Sequence, residues 1–80
     1  ESFNSTKLTI AKQIIRSKQC FTSRQITDIV KLFSFDDTRL EVAKYAFEYT
    51  IDRENYYQVA DAFTFSSSKE DLMKFLEGKR

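Results

Sequence analysis

Apolar residues recur at spacings of three and four in five separate runs along the chain. These are Leu8, Ala11, Ile14 and Ile15; Ile26, Ile29, Val30 and Phe33; Leu40, Ala43, Ala46 and Phe47; Tyr56, Val59, Ala60 and Phe63; and Leu72, Phe75 and Leu76. That spacing gathers each run on one face of a helix. It predicts helices over residues 5–19, 23–33, 37–50, 53–63 and 67–78. Phe33-Ser34-Phe35 and Phe63-Thr64-Phe65 alternate in the manner of strands, but three residues make only a link. Phe33, Phe35, Phe63 and Phe65 are expected to turn inward as wedges between successive helices.

Four predicted helices open with an apolar residue, a capping residue and a second apolar residue four positions after the cap. Phe3-Asn4 with Leu8, Phe21-Thr22 with Ile26, Phe35-Asp36 with Leu40 and Ile51-Asp52 with Tyr56 all fit an N-cap flanked by a hydrophobic staple. Thr22 also has Gln25 three places on, as a capping box requires. The fifth start, at Ser66-Ser67-Ser68, lacks the staple, and Ser67 with Glu70 is its expected capping box. The chain contains no Pro and one Gly, Gly78, so Ser, Thr, Asn and Asp are expected to make the turns.

The helices come in pairs. A shift of thirty residues lays Ile29 on Val59, Phe33 on Phe63, Phe35 on Phe65, Val42 on Leu72, Lys44 on Lys74 and Tyr45 on Phe75. A shift of thirty-two lays the ten residues from Phe3 to Lys12 on those from Phe35 to Lys44. The predicted architecture is all-α: five short helices forming two and a half helix-pair repeats of about 30 residues, stacked as a small bundle or solenoid in a single domain over 1–80. The repeat also makes Tyr45 and Tyr56 core residues, through their equivalents Phe75 and Ile26. The chain opens at Glu1, partway through a repeat, and is expected to belong to a longer protein.

Composition narrows the chemistry. With no His and a single Cys among 80 residues, the His-containing catalytic triads, the Cys-His pair and the usual zinc ligand sets cannot be assembled. Cys20 is expected to be a half-buried, inert thiol. Asp36, Asp37 and Glu41, and Asp52 with Glu54, lack the alternating ligands and central Gly of a calcium loop. Capping and the helix dipole explain acids at helix starts. No catalytic residue, cofactor or metal site is expected, and no apolar run reaches the roughly 20 residues of a membrane span.

The phrases Phe21-Thr22-Ser23-Arg24-Gln25-Ile26, Leu32-Phe33-Ser34-Phe35-Asp36-Asp37, Ala43-Lys44-Tyr45-Ala46 and Asp52-Arg53-Glu54-Asn55-Tyr56 give the chain a resemblance over nearly its whole length. It resembles the domain-of-unknown-function family designated four-four-seven-six, common in Bacteroidota proteins. The resemblance implies a helical domain carried by longer, often exported proteins. It transfers no activity, cofactor or catalytic residue.

What remains is surface. Residues 1–31 carry net +4 and residues 32–80 net −3, with Lys12 and Arg16 one turn apart on helix 1. Tyr57 lies off the apolar face of its helix, opposite Thr27 in the repeat. Helix 3 has two apolar faces, whereas helix 5 replaces Leu40 and Phe47 with Glu70 and Glu77 and so resembles a terminal cap. The face that helix 5 retains corresponds on helix 1 to Ile10 and Ile14, which nothing in this chain precedes. The expected function is therefore a non-catalytic protein-interaction or scaffold module. Its candidate contact residues are Ile10, Ile14, Lys12, Arg16 and Tyr57, and its partner is another protein or an upstream part of the same chain. The alternative is a weak nucleic-acid or anion binder using the basic face of helix 1.

Overall fold

A computed structural model describes residues 3–79, with side chains from residue 5 onward. The chain is all-α. Its elements are α1 (Phe3–Lys18), α2 (Ser23–Val30), α3 (Asp36–Ala46), a 3-10 turn η1 (Phe47–Tyr49), a 3-10 helix η2 (Arg53–Ala62) and α4 (Ser66–Gly78). They pack in two rows. One row runs α1, α3, α4 with α3 in the middle, and the other sets α2 against η2; α2 leans on α3 and η2 on α4.

One continuous core joins the rows. Ile15, Ile26, Val30, Phe33, Val42, Tyr56, Val59 and Leu72 are fully buried or nearly so. Tyr45 is only partly buried, packed against that core. The spacing of Tyr56, Val59 and Ala62 suits the winding of η2: three residues per turn place these buried side chains in one column. An α-helical reading of this segment overlooks Ala62.

The helix starts show how local signals are redirected by neighbours. At Thr22 the capping box is complete: the Gln25 amide donates to Thr22 Oγ1 at 3.2 Å, and the Thr22 amide donates to Gln25 Oε1 at 3.0 Å. Phe21 and Ile26 flank it, both buried. The signal at Phe3 and Asn4 lies outside the residues with described side chains. At α3 and α4 the N-caps are Phe35 and Phe65, with no side-chain cap, so neither Asp36 nor Ser67 caps its own helix. Asp36 lies one residue inside α3 and reaches across to the next link, accepting from the amides of Thr64 (3.1 Å) and Phe65 (2.9 Å). Asp52 is the N-cap of η2 but leaves its helix uncapped. Its carboxylate accepts instead from the Ser23 amide at 2.7 Å and the Ser23 hydroxyl at 3.1 Å, which satisfies the first free amide of α2.

Both carboxyls are held below their ordinary range. At Asp52 the Ser23 amide bond is the main cause and outweighs the desolvation that opposes it. At Asp36 desolvation is the largest influence and acts upward, but the Phe65 and Thr64 amides, the Ser68 hydroxyl and Arg39 together overcome it.

Two of the four expected aromatic wedges are absent. Phe33 and Phe63 are buried, whereas Phe35 and Phe65 are 67% and 63% exposed. The chain bends through Ser34 and Thr64 between the members of each pair, so the rings diverge instead of sharing a strand face. Phe35 and Phe65 are then fixed in extended backbone as N-caps, with their carbonyls accepting from Arg39 and Lys69. Cys20 is exposed, contrary to the half-buried thiol expected. Just before it, Gln19 follows the last residue of α1, with a left-handed φ of 58° and its amide donating to the Ile15 carbonyl. A residue other than Ser, Thr, Asn or Asp thus makes this turn.

The interfaces between helices repeat specific contacts. Lys7 Nζ donates to the Leu32 carbonyl at 2.8 Å, and Arg39 Nη1 donates to the Ala62 carbonyl at 2.5 Å. Lys12 Nζ lies 5.3 Å from the centre of the Tyr45 ring, and Lys44 Nζ lies 5.8 Å from that of Phe75. Lys7 and Lys12 correspond to Arg39 and Lys44 at thirty-two residues; Leu32 and Tyr45 correspond to Ala62 and Phe75 at thirty.

Candidate interaction surfaces

The expected contact residues fall in three settings. Ile10 and Ile14 are 50% and 51% exposed on the outer side of α1, away from the face through which Ile15 enters the core. Their equivalents Val42 and Ala46 on α3, and Leu72 on α4, are all fully buried. The difference follows from the rows: α3 has α2 against it and α4 has η2, while the principal packing of α1 is on α3 alone.

Lys12 and Arg16 do not form an open basic face. Lys12 Nζ is 2.8 Å from Glu41 Oε2 and lies over the Tyr45 ring, so its charge is directed toward α3. Arg16 is exposed and lies close enough to Tyr49 to act on its phenol. Tyr49 is nevertheless pushed above the ordinary phenol range, by desolvation first and then by its hydrogen bond with Tyr45.

Tyr57 is 56% exposed and belongs to a groove of about 440 Å³ between η2 and α4. Phe47, Tyr57, Met73 and Leu76 supply its apolar lining, and Arg53, Glu54, Glu77 and Lys79 its charged lining. Arg53 Nη2 donates to the Glu48 carbonyl at 2.8 Å while its guanidinium lies 5.4 Å from the centre of the Phe47 ring. Lys79 is 3.7 Å from Glu48. Glu54 and Glu77 have no ion-pair partner among the described residues. Sequence reasoning found Tyr57 through its position off the apolar face. It missed the groove, because the other walls come from segments up to 22 residues away.

A second, shallower depression of about 250 Å³ lies between α2 and η2 and is mainly polar, with Arg24, Lys31, Asp28 and Asp61 on its walls. Among the described residues no three metal-ligating side chains cluster, and no helix is long and apolar enough to cross a membrane. The most buried titratable group, Tyr56, is pushed above the ordinary phenol range by its burial, and its hydroxyl donates to the Ala43 carbonyl at 2.5 Å. That bond ties η2 to α3.

The fold is that of a small all-α domain that carries a groove between adjacent helices. Residues 1–76 match the family model described as a domain of unknown function (DUF4476), and the chain belongs to that family. No curated protein and no solved structure matches it.

Proposed function

We propose that this domain is a non-catalytic protein-interaction module, an array of helix pairs whose free edge on α1 docks another protein or an upstream part of its own chain. The carrying observation is the exposure of Ile10 and Ile14 where Val42, Ala46 and Leu72, at the matching places, are fully buried. Helix-pair arrays bury their core between neighbours, so a terminal unit presents apolar surface wherever a neighbour is missing. The contacts of Lys7 with Leu32 and of Lys12 with Tyr45, matched one repeat later by those of Arg39 with Ala62 and of Lys44 with Phe75, support the array reading.

The test places a photo-crosslinking residue at position 10 or 14 of the protein in the cells that produce it. The expected result is a discrete protein adduct, or a crosslink to another part of the same chain, that survives high salt and is absent from a control at exposed Lys69. Apolar docking tolerates ionic strength, whereas a phosphate-binding face would lose its ligand steeply as salt rises. A salt-sensitive nucleic-acid adduct would transfer the function to the basic residues of α1. A several-kcal/mol loss of stability in a monomeric Ile10→Ser, Ile14→Ser variant would mean the pair is internal core.

A further inference from the structure

The groove between η2 and α4 has a counterpart inside the molecule, and the counterpart is filled. Within the core, the first turn of η2 touches Ser23, Ala43 and Phe47. Asp52 accepts from the Ser23 amide and hydroxyl, the Tyr56 hydroxyl donates to the Ala43 carbonyl, and the Tyr56 ring meets Phe47 edge-on with centres 5.0 Å apart. Thirty residues later these three positions are Arg53, Met73 and Glu77, and all three line the groove. Leu76, at the place of buried Ala46, is also a lining residue.

We propose that this groove is the second copy of that internal seat and receives the first turn of a short helix from a partner protein, with an acidic residue at its N-cap and an aromatic one turn later. The proposal rests on reading the chain as an array of helix pairs. It concerns the opposite end of the array from Ile10 and Ile14. The continuity of the internal α2–η2 interface fixes the direction of approach, and the charges fix the chemistry. Arg53 stands where the amide and hydroxyl of Ser23 meet a carboxylate, so an acidic N-cap gains a charged partner there. Tyr57, Met73 and Leu76 give the aromatic an apolar bed. Glu54 and Glu77, both without ion partners among the described residues, favour a basic side chain farther along the same helix.

The probe is the sequence that fills the internal seat: a fluorescently labelled peptide spanning residues 50–65, which carries Asp52 and Tyr56 in the required spacing. Fluorescence anisotropy against the intact domain should give saturable binding. Substituting either Asp52 or Tyr56 by Ala in the peptide should weaken it at least about tenfold. On the domain, Leu76→Glu should have the same effect, and Ile10→Ser with Ile14→Ser should have none. Leu76 is partly buried, so the exposed Arg53→Glu serves if that variant fails to fold. Arg53→Glu should also weaken binding and be partly rescued by a peptide with Asp52→Lys. Absence of saturation, or undiminished binding to Arg53→Glu, overturns the proposal. Sedimentation equilibrium provides the remaining arm: a dimer of the domain alone that Arg53→Glu dissolves would make the occupant a second copy and overturn the partner-helix assignment. Loss of peptide binding with retained crosslinking at position 10 would discard the groove and leave the α1 edge standing.

Discussion

α1 and α3 open with closely similar ten-residue sequences and meet opposite fates. Residues Phe3 to Lys12 superpose on Phe35 to Lys44, yet Ile10 is half exposed and Val42 is sealed in the core. α3 lies between α1 and α4 and leans on α2, whereas α1 packs principally on one side. Amphipathic pattern therefore states which positions can be buried, and the number of neighbours states which ones are. The larger apolar face of α3 is matched by a larger environment, and that of α1 is left with a surplus. The surplus carries the functional proposal.

The comparison can be broken most severely at Phe33, the wedge that both helices reach: Lys7 of α1 lies over its ring and Arg39 of α3 donates to its carbonyl. Phe33→Ala should cost about 3–5 kcal/mol, a large share of the roughly 4–12 kcal/mol that a chain of this length has available. Phe35→Ala, two residues away and exposed, should stay within about 0.5 kcal/mol of the parent in the same denaturant titration. Similar losses for both would show that the bend at Ser34 does not separate them.

Next in size is the direct contrast between equivalent positions. Val42→Ser should destabilise by about 2–4 kcal/mol, because it removes buried methyl groups and leaves a hydroxyl in the core. Ile10→Ser with Ile14→Ser should leave the melting temperature close to the parent's. A double variant as damaged as Val42→Ser would mean that α1 has a neighbour after all.

The acid limb of stability sharpens the difference in how the helices are tied. Asp36 fastens α3 forward to the α4 link, and Asp52 fastens η2 back to α2. Both carboxyls sit below their ordinary range when folded, so the unfolded chain binds more protons as acid is added. Their contribution is complete above the ordinary carboxylate range, near pH 5, and is lost as pH falls through and below about 4. Asp52→Asn should melt lower than the parent at pH 7 and lose less on going to pH 3. Thermal melts across that interval would contradict the assignment if parent and variant fell in parallel.

The smallest expected effect is at the ends of the two helices. α1 stops at Lys18, just before a left-handed Gln19, while α3 runs on into η1. Gln19→Gly removes the penalty of a side chain there and should raise stability by up to about 1 kcal/mol. A decrease would show that the Gln19 side chain contributes more than its backbone costs.

Periodicity, capping residues and internal similarity made the helices, their order and most of the core legible in the sequence. Spacings of three and four residues recur whatever the surroundings, and the Thr22–Gln25 box closes within a single turn. The family could likewise be recognised from contiguous phrases. What the sequence alone could not fix were properties that need two segments at once. Asp36 and Asp52 carry the chemistry of caps, but the amides they satisfy belong to residues 28 and 29 positions away. Phe35 repeats the local pattern of Phe33, and only the bend between them sends one ring out and the other in. The groove beside Tyr57 appears when η2 and α4 come together. Local steric and hydrogen-bonding preferences act within a turn of chain and are written in adjacent residues; burial and docking depend on which neighbour arrives, and tertiary packing decides that.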